Sequence, residues 1–354
     1  MNDPAENDRT VAWAILGTGS IAATFAQDIG LAKHARLAAV CSRTSEAANS
    51  FSRRFGGLRV VPDIDALARD REIEAVYIAT PNTAHFDAAH RLLSAGKPVL
   101  IEKPMVTTLA QARQVADLAD EKQTFAMEAL WTLFLPAVDH VRTLLADKSI
   151  GAITGVRAEL AYVRRFDSTS RFFSKSLGGG SLFDLGTYPI ALTLALFGEP
   201  RSVTGRWSAA PTGVDMAADL QLGYAGFATQ ISCGFDRNGA NRFVIEGETG
   251  SIVIDAPFLR ASRVFVIRNG WTGRLAIPSG SSRLSRLVGK VSARLPLPGL
   301  TIHNHAFPGN GLQFEIEAAS KAILQGDRES RTMPLSASVA ALGIIETILA
   351  QSAS

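Results

Sequence analysis

The sequence predicts an α/β protein: an N-terminal doubly wound parallel sheet followed by an α+β domain with an open, mostly antiparallel sheet. Three observations predict it. Short apolar runs alternate with helical periodicity as far as residue 150. After Gly151 the segments lengthen and alternate apolar with polar residues. A glycine-rich turn joins the first apolar run to the first helical stretch. With 354 residues, 47% of them hydrophobic and 19% charged, the chain is long enough for two domains of about 150 residues each and too apolar to be disordered.

Val11 to Leu16 is a continuous apolar run ending at Gly17, as expected of a strand buried on both faces. A helix follows from Ile21, then a strand over Arg36 to Cys41, a helix over Ser45 to Phe55, and a short strand at Val60 and Val61. The pattern continues with the helix Ile64 to Arg69, the strand Ala75 to Ala79, the helix Ala84 to Ser94 and the strand Val99 to Glu102. A helix over Leu109 to Ala119, a strand over Thr124 to Met127 and a helix over Pro136 to Leu145 complete the first domain. The reading is therefore a disordered polar leader over residues 1–10, a first domain over 11–150 and a second domain over 151–354. In the latter, strands are expected over Thr154 to Val163, Ser202 to Trp207, Met216 to Tyr224, Phe227 to Phe235, Gly247 to Ile254 and Val264 to Ile267. A helical stretch over Ser181 to Phe197 interrupts them, and helices over Leu312 to Leu324 and Leu335 to Ala350 close the domain.

A formal charge of +3 is too small for a dedicated nucleic-acid binder. The two cysteines, Cys41 and Cys233, lie far apart in apolar strand-like contexts, where neither a disulfide framework nor a thiolate metal site is built, and no metal is expected. The polar start has no signal-peptide core, and no run approaches the roughly 18 uninterrupted apolar residues of a spanning segment, so a cytoplasmic, soluble protein is expected.

Gly17-Thr18-Gly19-Ser20-Ile21-Ala22 sits where a strand turns into a helix, the context that makes such a motif a dinucleotide fingerprint. Gly17 permits the tight turn, and Gly19 lets backbone approach a pyrophosphate at the positive helix end. Ala22 takes the place of the third glycine, where helix and strand pack closely. An NAD site usually places a carboxylate about 20 residues on, for the ribose 2′-hydroxyl. Here the second strand ends Cys41-Ser42-Arg43-Thr44, a hydroxyl and a guanidinium fork suited to a 2′-phosphate, so NADP is predicted in preference to NAD.

The strand Val99 to Ile101 runs into Glu102-Lys103-Pro104, an acid and a base where open α/β sheets bind ligands. Lys103 there can hydrogen-bond a substrate oxygen and lower a neighbour's pKa, while Glu102 orients the ammonium or the cofactor. The stretch Gly178 to Tyr188 reads as a flexible glycine turn entering an apolar helix, with Asp184 and Tyr188 four residues apart on one face. Tyrosine exchanges protons at neutral pH only where a cation such as Lys103 stabilises its phenolate.

Together these residues resemble the glucose-fructose oxidoreductase, inositol dehydrogenase and MocA family from Val11 to the last helix. The resemblance rests on the glycine fingerprint, Thr80-Pro81-Asn82 with His85, Ala95-Gly96-Lys97-Pro98 leading into Glu102-Lys103-Pro104, and Gly178-Gly179-Gly180 with Asp184. Tyr188, where most members carry histidine, and Met127-Glu128-Ala129-Leu130-Trp131 are similar to the dimeric dihydrodiol dehydrogenase branch. Leu133 departs from that branch, which usually has arginine there.

The resemblance implies a Rossmann domain, a homodimer through the C-terminal sheet, and hydride transfer between the nicotinamide and a small molecule. In it Lys103 would polarise the substrate oxygen, Tyr188 would exchange its proton, and Asp184 would position substrate or Tyr188. Thr80, Pro81, Asn82 and His85 would border the cofactor, and Trp131 and Arg171 would face the substrate. The reading is an NADP-dependent oxidoreductase acting on a secondary alcohol or carbonyl of a cyclic diol or sugar. Its alternatives are a non-catalytic NADP-binding sensor and a nicotinamide-assisted glycoside hydrolase on the same fold. Residues 260–294 hold eight basic and no acidic side chains. Leu284, Leu287, Val288 and Val291 recur there at helical spacing, which is read as an insertion packed on the second domain rather than an anionic-lipid contact.

Overall fold

A computed structural model describes residues 9–268, 298–351 and 353. Most of the expected leader and the basic periodicity over Leu284 to Val291 lie outside the described residues.

Six parallel strands, β1 (Val11–Leu16), β2 (Ala35–Cys41), β3 (Arg59–Val61), β4 (Ala75–Ile78), β5 (Val99–Glu102) and β6 (Ala126–Ala129), form a sheet in the order β3-β2-β1-β4-β5-β6. The order reverses between β1 and β4, the switch point at which such sheets bind ligands. β1, β4 and β5 are buried along their whole length, which is why their sequences are apolar runs, broken only by Glu102 at the end of β5. The connecting helices are α1 (Ser20–Asp28), α2 (Ser45–Arg54), α3 (Ile64–Arg69), α4 (His85–Ser94) and α5 (Leu109–Glu121). Thr44, Asp63 and Thr108 cap α2, α3 and α5 by accepting from the amides of Ala47, Ala66 and Gln111. The helix α1 has Gly19 at its N-cap and no side-chain cap.

Eight strands form the second sheet: β7 (Ile153–Ala161), β8 (Ser202–Ala209), β9 (Asp215–Gly223), β10 (Ala228–Gly234), β11 (Phe243–Gly247), β12 (Gly250–Ile254), β13 (Arg263–Arg268) and β14 (Leu300–Asn304). Their order is β14-β13-β12-β11-β7-β10-β9-β8, and every pair is antiparallel except β7 with β10. The strand expected over Gly247 to Ile254 is the turn and second arm of a hairpin: the chain reverses at Glu248 and Thr249, and Phe243 pairs with Ile254. The strands β11 and β14 are added to those the sequence predicts. The helices here are α6 (Pro136–Ala146) and α7 (Thr187–Phe197).

The chain divides into two compact units. The first runs to Phe134 and takes in Pro308–Leu342; the second comprises Leu135–Phe307 and the chain from Gly343. The sequence places the division near residue 150 and assigns everything beyond it to the second domain. The difference has a physical cause in α8 (Leu312–Gln325), which returns to the parallel sheet. There Ser320 Oγ accepts from the indole of the fully buried Trp13 at 2.9 Å, and Glu317 pairs with His34 at 2.6 Å. The buried Asp28 carboxylate accepts from the amides of Asn310 and Leu312, capping α8 from the end of α1. The last helix, α9 (Leu335–Leu349), crosses the division. Lys175–Phe197 is apolar and long enough to cross a membrane by composition, but 83% of its most apolar window is buried inside the protein.

Candidate active site

The registers of the parallel strands set one row of the first unit. Leu16 pairs with Cys41 and Ile78, Ile78 with Ile101, and Ile101 with Glu128. The strands therefore end level. The residues that follow, Gly17, Ser42 and Arg43, Thr80, Lys103, and Trp131, emerge along the carboxyl edge of the sheet.

Gly17 adopts φ +118°, and a β-carbon there would stand 2.4 Å from the Ala79 carbonyl oxygen. The turn can thus be made only by glycine, and it brings the chain against β4 at the switch point. Gly19 is the reverse case: a β-carbon there would meet nothing within 4 Å, so the space over its backbone is open. The first turn of α1 has neither a capping side chain nor an acidic residue. Its amides and this open cradle fit a pyrophosphate. Ala22 is fully buried and packs the helix against the sheet, while Thr18 and Ile21 are half-buried and Ser20 is exposed.

At the end of β2, Thr18 Oγ1 and Ser42 Oγ lie 3.4 Å apart. Arg43 is exposed and, among the described residues, pairs with no carboxylate. Cys41 beside them is a buried free thiol whose pKa burial raises to about 11, so it has no nucleophilic role. Cys233 is likewise buried and free.

The loop after β4 carries a polar atom without a partner: Thr80 Oγ1 is buried and accepts or donates no hydrogen bond among the described residues. A bound group that supplied one would remove that cost. Pro81 is exposed and Asn82 half-buried. His85 does not face this space. It is 1% exposed, with Nδ1 2.9 Å from the Pro104 carbonyl and Nε2 2.9 Å from the Thr80 carbonyl. The imidazole ties the loop after β4 to the loop after β5, and burial lowers its pKa.

Lys103 is half-buried, and the Lys103-Pro104 bond is cis. Behind it Glu102 is buried, accepting from the Tyr77 hydroxyl and from the Lys103 amide at 3.1 Å. Burial pushes its carboxyl up to about 7. Tyr77 stacks on Phe25 with ring centres 3.9 Å apart, and Phe25 meets Trp13 edge-on, so Glu102 rests on a buried aromatic column. Two more buried carboxyls, Glu128 and Glu315, have pKa values raised by burial. Trp131, half-buried, opens a single 3₁₀ turn (Trp131–Phe134) beyond β6.

In the second unit, Asp184 lies on a π turn, Leu182–Gly186, that runs directly into α7, where Tyr188 is the second residue and 8% exposed. The sequence predicts a helical stretch over Ser181 to Phe197, kinked or only beginning at Pro189. The wider turn follows from Pro189, whose ring would clash with the carbonyl four residues back, that of Leu185, in a regular α-helix. Asp184 and Tyr188 still fall within one turn of each other.

The glycines before them form a fixed clasp rather than a flexible turn. A β-carbon on Gly179 would stand 2.7 Å from the Phe172 carbonyl oxygen, and one on Gly180, at φ +122°, would stand 2.1 Å from Asp215 Oδ1. Asp215, 2% exposed, accepts from the Ser181 hydroxyl at 2.7 Å and the Leu182 amide at 2.6 Å, anchoring the π turn to β9.

Two arginines meet Asp184. Arg164 donates from Nη2 to Oδ2 at 3.2 Å, and Arg171 Nη2 lies 3.7 Å from Oδ1. Their guanidinium carbons stand 3.6 and 4.2 Å from the centre of the Phe172 ring. Arg171 is among the residues the sequence singles out; Arg164 and Asp215 are not. Nothing in their neighbours marks them, since each meets its partner across 20 residues or more.

Comparison with known proteins bears on the family and the fold. A family model described as an oxidoreductase family with an NAD-binding Rossmann fold matches residues 11–129, and the Gfo/Idh/MocA C-terminal domain matches residues 138–253. The chain is 29% identical over 344 residues to a trans-1,2-dihydrobenzene-1,2-diol dehydrogenase of Xenopus laevis, covering 96% of this chain and 97% of that one. It is 31% identical over 275 residues to an NADP-dependent scyllo-inositol 2-dehydrogenase of Bacillus subtilis, covering 76% and 83%. The fold is shared with an aldose-aldose oxidoreductase from Caulobacter crescentus, crystallised with glycerol, at a TM-score of 0.80 and 22% identity over 96% of both chains.

Proposed function

The chain belongs to the Gfo/Idh/MocA oxidoreductases and is a dehydrogenase or reductase of CH–OH groups that uses NAD(P); from that premise we propose that it is an NADP-selective enzyme of cyclic diols or sugars working through Lys103 and Tyr188. The observation that carries the cofactor reading is the end of β2, where Ser42 and an exposed Arg43, without an ion pair among the described residues, occupy the place at which NAD enzymes hold a carboxylate. Arg43 takes the 2′-phosphate in its fork, Ser42 adds a hydroxyl, and the α1 amides with Gly19 hold the pyrophosphate. Thr80 Oγ1 gains its missing partner from the bound dinucleotide.

When bound, the nicotinamide supplies or accepts the hydride. Lys103 donates a hydrogen bond to the substrate oxygen and stabilises negative charge as it develops there. Tyr188 gives the proton to that oxygen in reduction and removes it in oxidation. Asp184 holds the substrate hydroxyl beside Tyr188, with its own charge balanced by Arg164. Trp131 supplies apolar contact to the substrate ring. The names of the diol and inositol enzymes that this chain resembles support the substrate class. Two buried free thiols fit a reducing, cytoplasmic setting, and the open face of the second sheet is assigned to a homodimer contact.

The test is a fluorescence titration with NADPH and NADH, followed by a turnover panel of diols, sugars and dicarbonyls. NADPH-selective binding with turnover of a panel member is expected. Equal affinity for the two nucleotides would overturn the cofactor assignment, and binding of neither would overturn the function.

A further inference from the structure

We propose that the substrate carries an anionic group, a carboxylate or a phosphate, which Arg171 binds beside Asp184. The inference rests on reading Asp184 and Tyr188 as substrate-side residues, and it adds the charge of the molecule they receive.

The starting point is a charge imbalance. Asp184 is one carboxylate, with a side chain 12% exposed, set against two guanidinium groups. Arg164 satisfies it: the pair is within hydrogen-bond distance, the Arg164 amide donates to the Phe235 carbonyl at 2.9 Å, and its guanidinium is laid over the Phe172 and Phe235 rings. Arg164 is thereby committed. Arg171 is not. Its approach to Asp184, 3.7 Å, is too long for a hydrogen bond, and its side chain is 59% exposed. Among the described residues one positive charge is left over, on a fork that is more than half exposed.

The position of that fork is nonetheless built. The Arg171 guanidinium carbon lies 4.2 Å from the centre of the same Phe172 ring that Arg164 covers, a cation–π contact that limits the entropy lost when it binds. Phe172 is itself held, since its carbonyl accepts from the Gly180 amide at 2.9 Å. The other acid of the loop, Asp167, is turned to Thr169, accepting from its amide at 2.9 Å and its hydroxyl at 2.7 Å, and does not neutralise Arg171. An arginine needed only to hold Asp184 would sit as Arg164 does, bonded and half-covered.

The same stretch of chain carries Val163, Phe166 and Leu177 as exposed apolar side chains at 57%, 41% and 37%. A planar fork with paired donors matches a carboxylate or a phosphate in two-point contact. A sugar acid or a phosphorylated sugar fits this description; a neutral diol leaves the charge unanswered.

The test uses the full chain loaded with NADP and calorimetric titration of matched ligands: glucose, glucuronate and glucose 6-phosphate, then galactose, galacturonate and galactose 6-phosphate. At least one anionic member is expected to bind about tenfold or more tightly than its neutral parent, with the preference shrinking as salt is raised. Preference for the uronates alone assigns a carboxylate, and preference for the sugar phosphates alone assigns a phosphate. Arg171→Gln should remove the preference and Arg171→Lys should restore part of it. Equal binding of neutral and anionic members, or a preference that survives Arg171→Gln, would overturn the proposal. Anion-selective binding without turnover would count against the hydride-transfer reading and not against this one.

Discussion

Gly17 and Ala79 are in contact through backbone alone: no side chain fits between the first glycine of the fingerprint and the carbonyl that ends β4. The amide of Gly17 also donates to the Cys41 carbonyl at 2.8 Å, and that of Ala79 to the Leu16 carbonyl at 2.8 Å. Three neighbouring strands are thus joined at the point where the dinucleotide is to lie.

Gly17→Ala should therefore cost roughly 3 kcal/mol of stability, from the close contact and the positive φ together. Gly19→Ala, whose new methyl meets open space, should change stability by about 0.5 kcal/mol or less and weaken nucleotide binding instead. Denaturant unfolding and a nucleotide titration on both variants separate the two roles. If Gly17→Ala folds as stably as the parent, the close contact with β4 is not required.

Arg43→Asp should lower NADPH affinity by roughly thirtyfold, the worth of a charge-assisted pair, and leave NADH affinity equal or higher. An unchanged ratio of the two affinities would remove Arg43 from the cofactor site.

Tyr188→Phe and Lys103→Met should each reduce turnover on the order of a hundredfold or more while NADPH still binds. The readout is single-turnover absorbance of the reduced nicotinamide. Near-normal rates in Tyr188→Phe would transfer the proton to another group.

Glu102 makes stability fall as pH rises. Its buried carboxyl titrates at about 7 in the fold against an ordinary 4.5, so between those values the folded protein holds a proton that the unfolded chain has released. The stabilisation present below 4.5 is lost as pH passes 7. Relative to Glu102→Gln, which cannot ionise, the parent should lose about 2 kcal/mol between pH 5 and 8. Parallel pH dependences for the two proteins would show that Glu102 keeps its ordinary pKa.

The parallel sheet is legible in the sequence because each of its central strands is buried on both faces and so is written as an unbroken apolar run ended by a glycine or a polar residue. Val11–Leu16 and Val99–Glu102 have the bounds the sequence predicts. The second sheet is less legible. β12 is read from Gly247, through the turn at Glu248 and Thr249, and β11 is not read as a strand; like β14, it is only five residues long. The candidate site divides in the same way. Lys103, Asp184 and Tyr188 stand in local patterns that announce a strand end or a helix face. Arg164, Asp215 and Tyr77 acquire their places only through register and packing, which no local pattern records.

The return of α8 to the first sheet bears on how the chain is made. A ribosome releases residues in order, and the partners of Trp13, His34 and Asp28 are Ser320, Glu317 and the amides of Asn310 and Leu312. The nucleotide unit therefore waits, with its first strand synthesised and its last helix missing, while the whole second sheet emerges. Until then the nascent Rossmann half leaves an indole and a carboxylate uncovered, a natural foothold for a chaperone. A fragment cut at Phe134 would keep that exposed face for good, whereas a fusion that carries Pro308–Leu342 directly after Phe134 would close it.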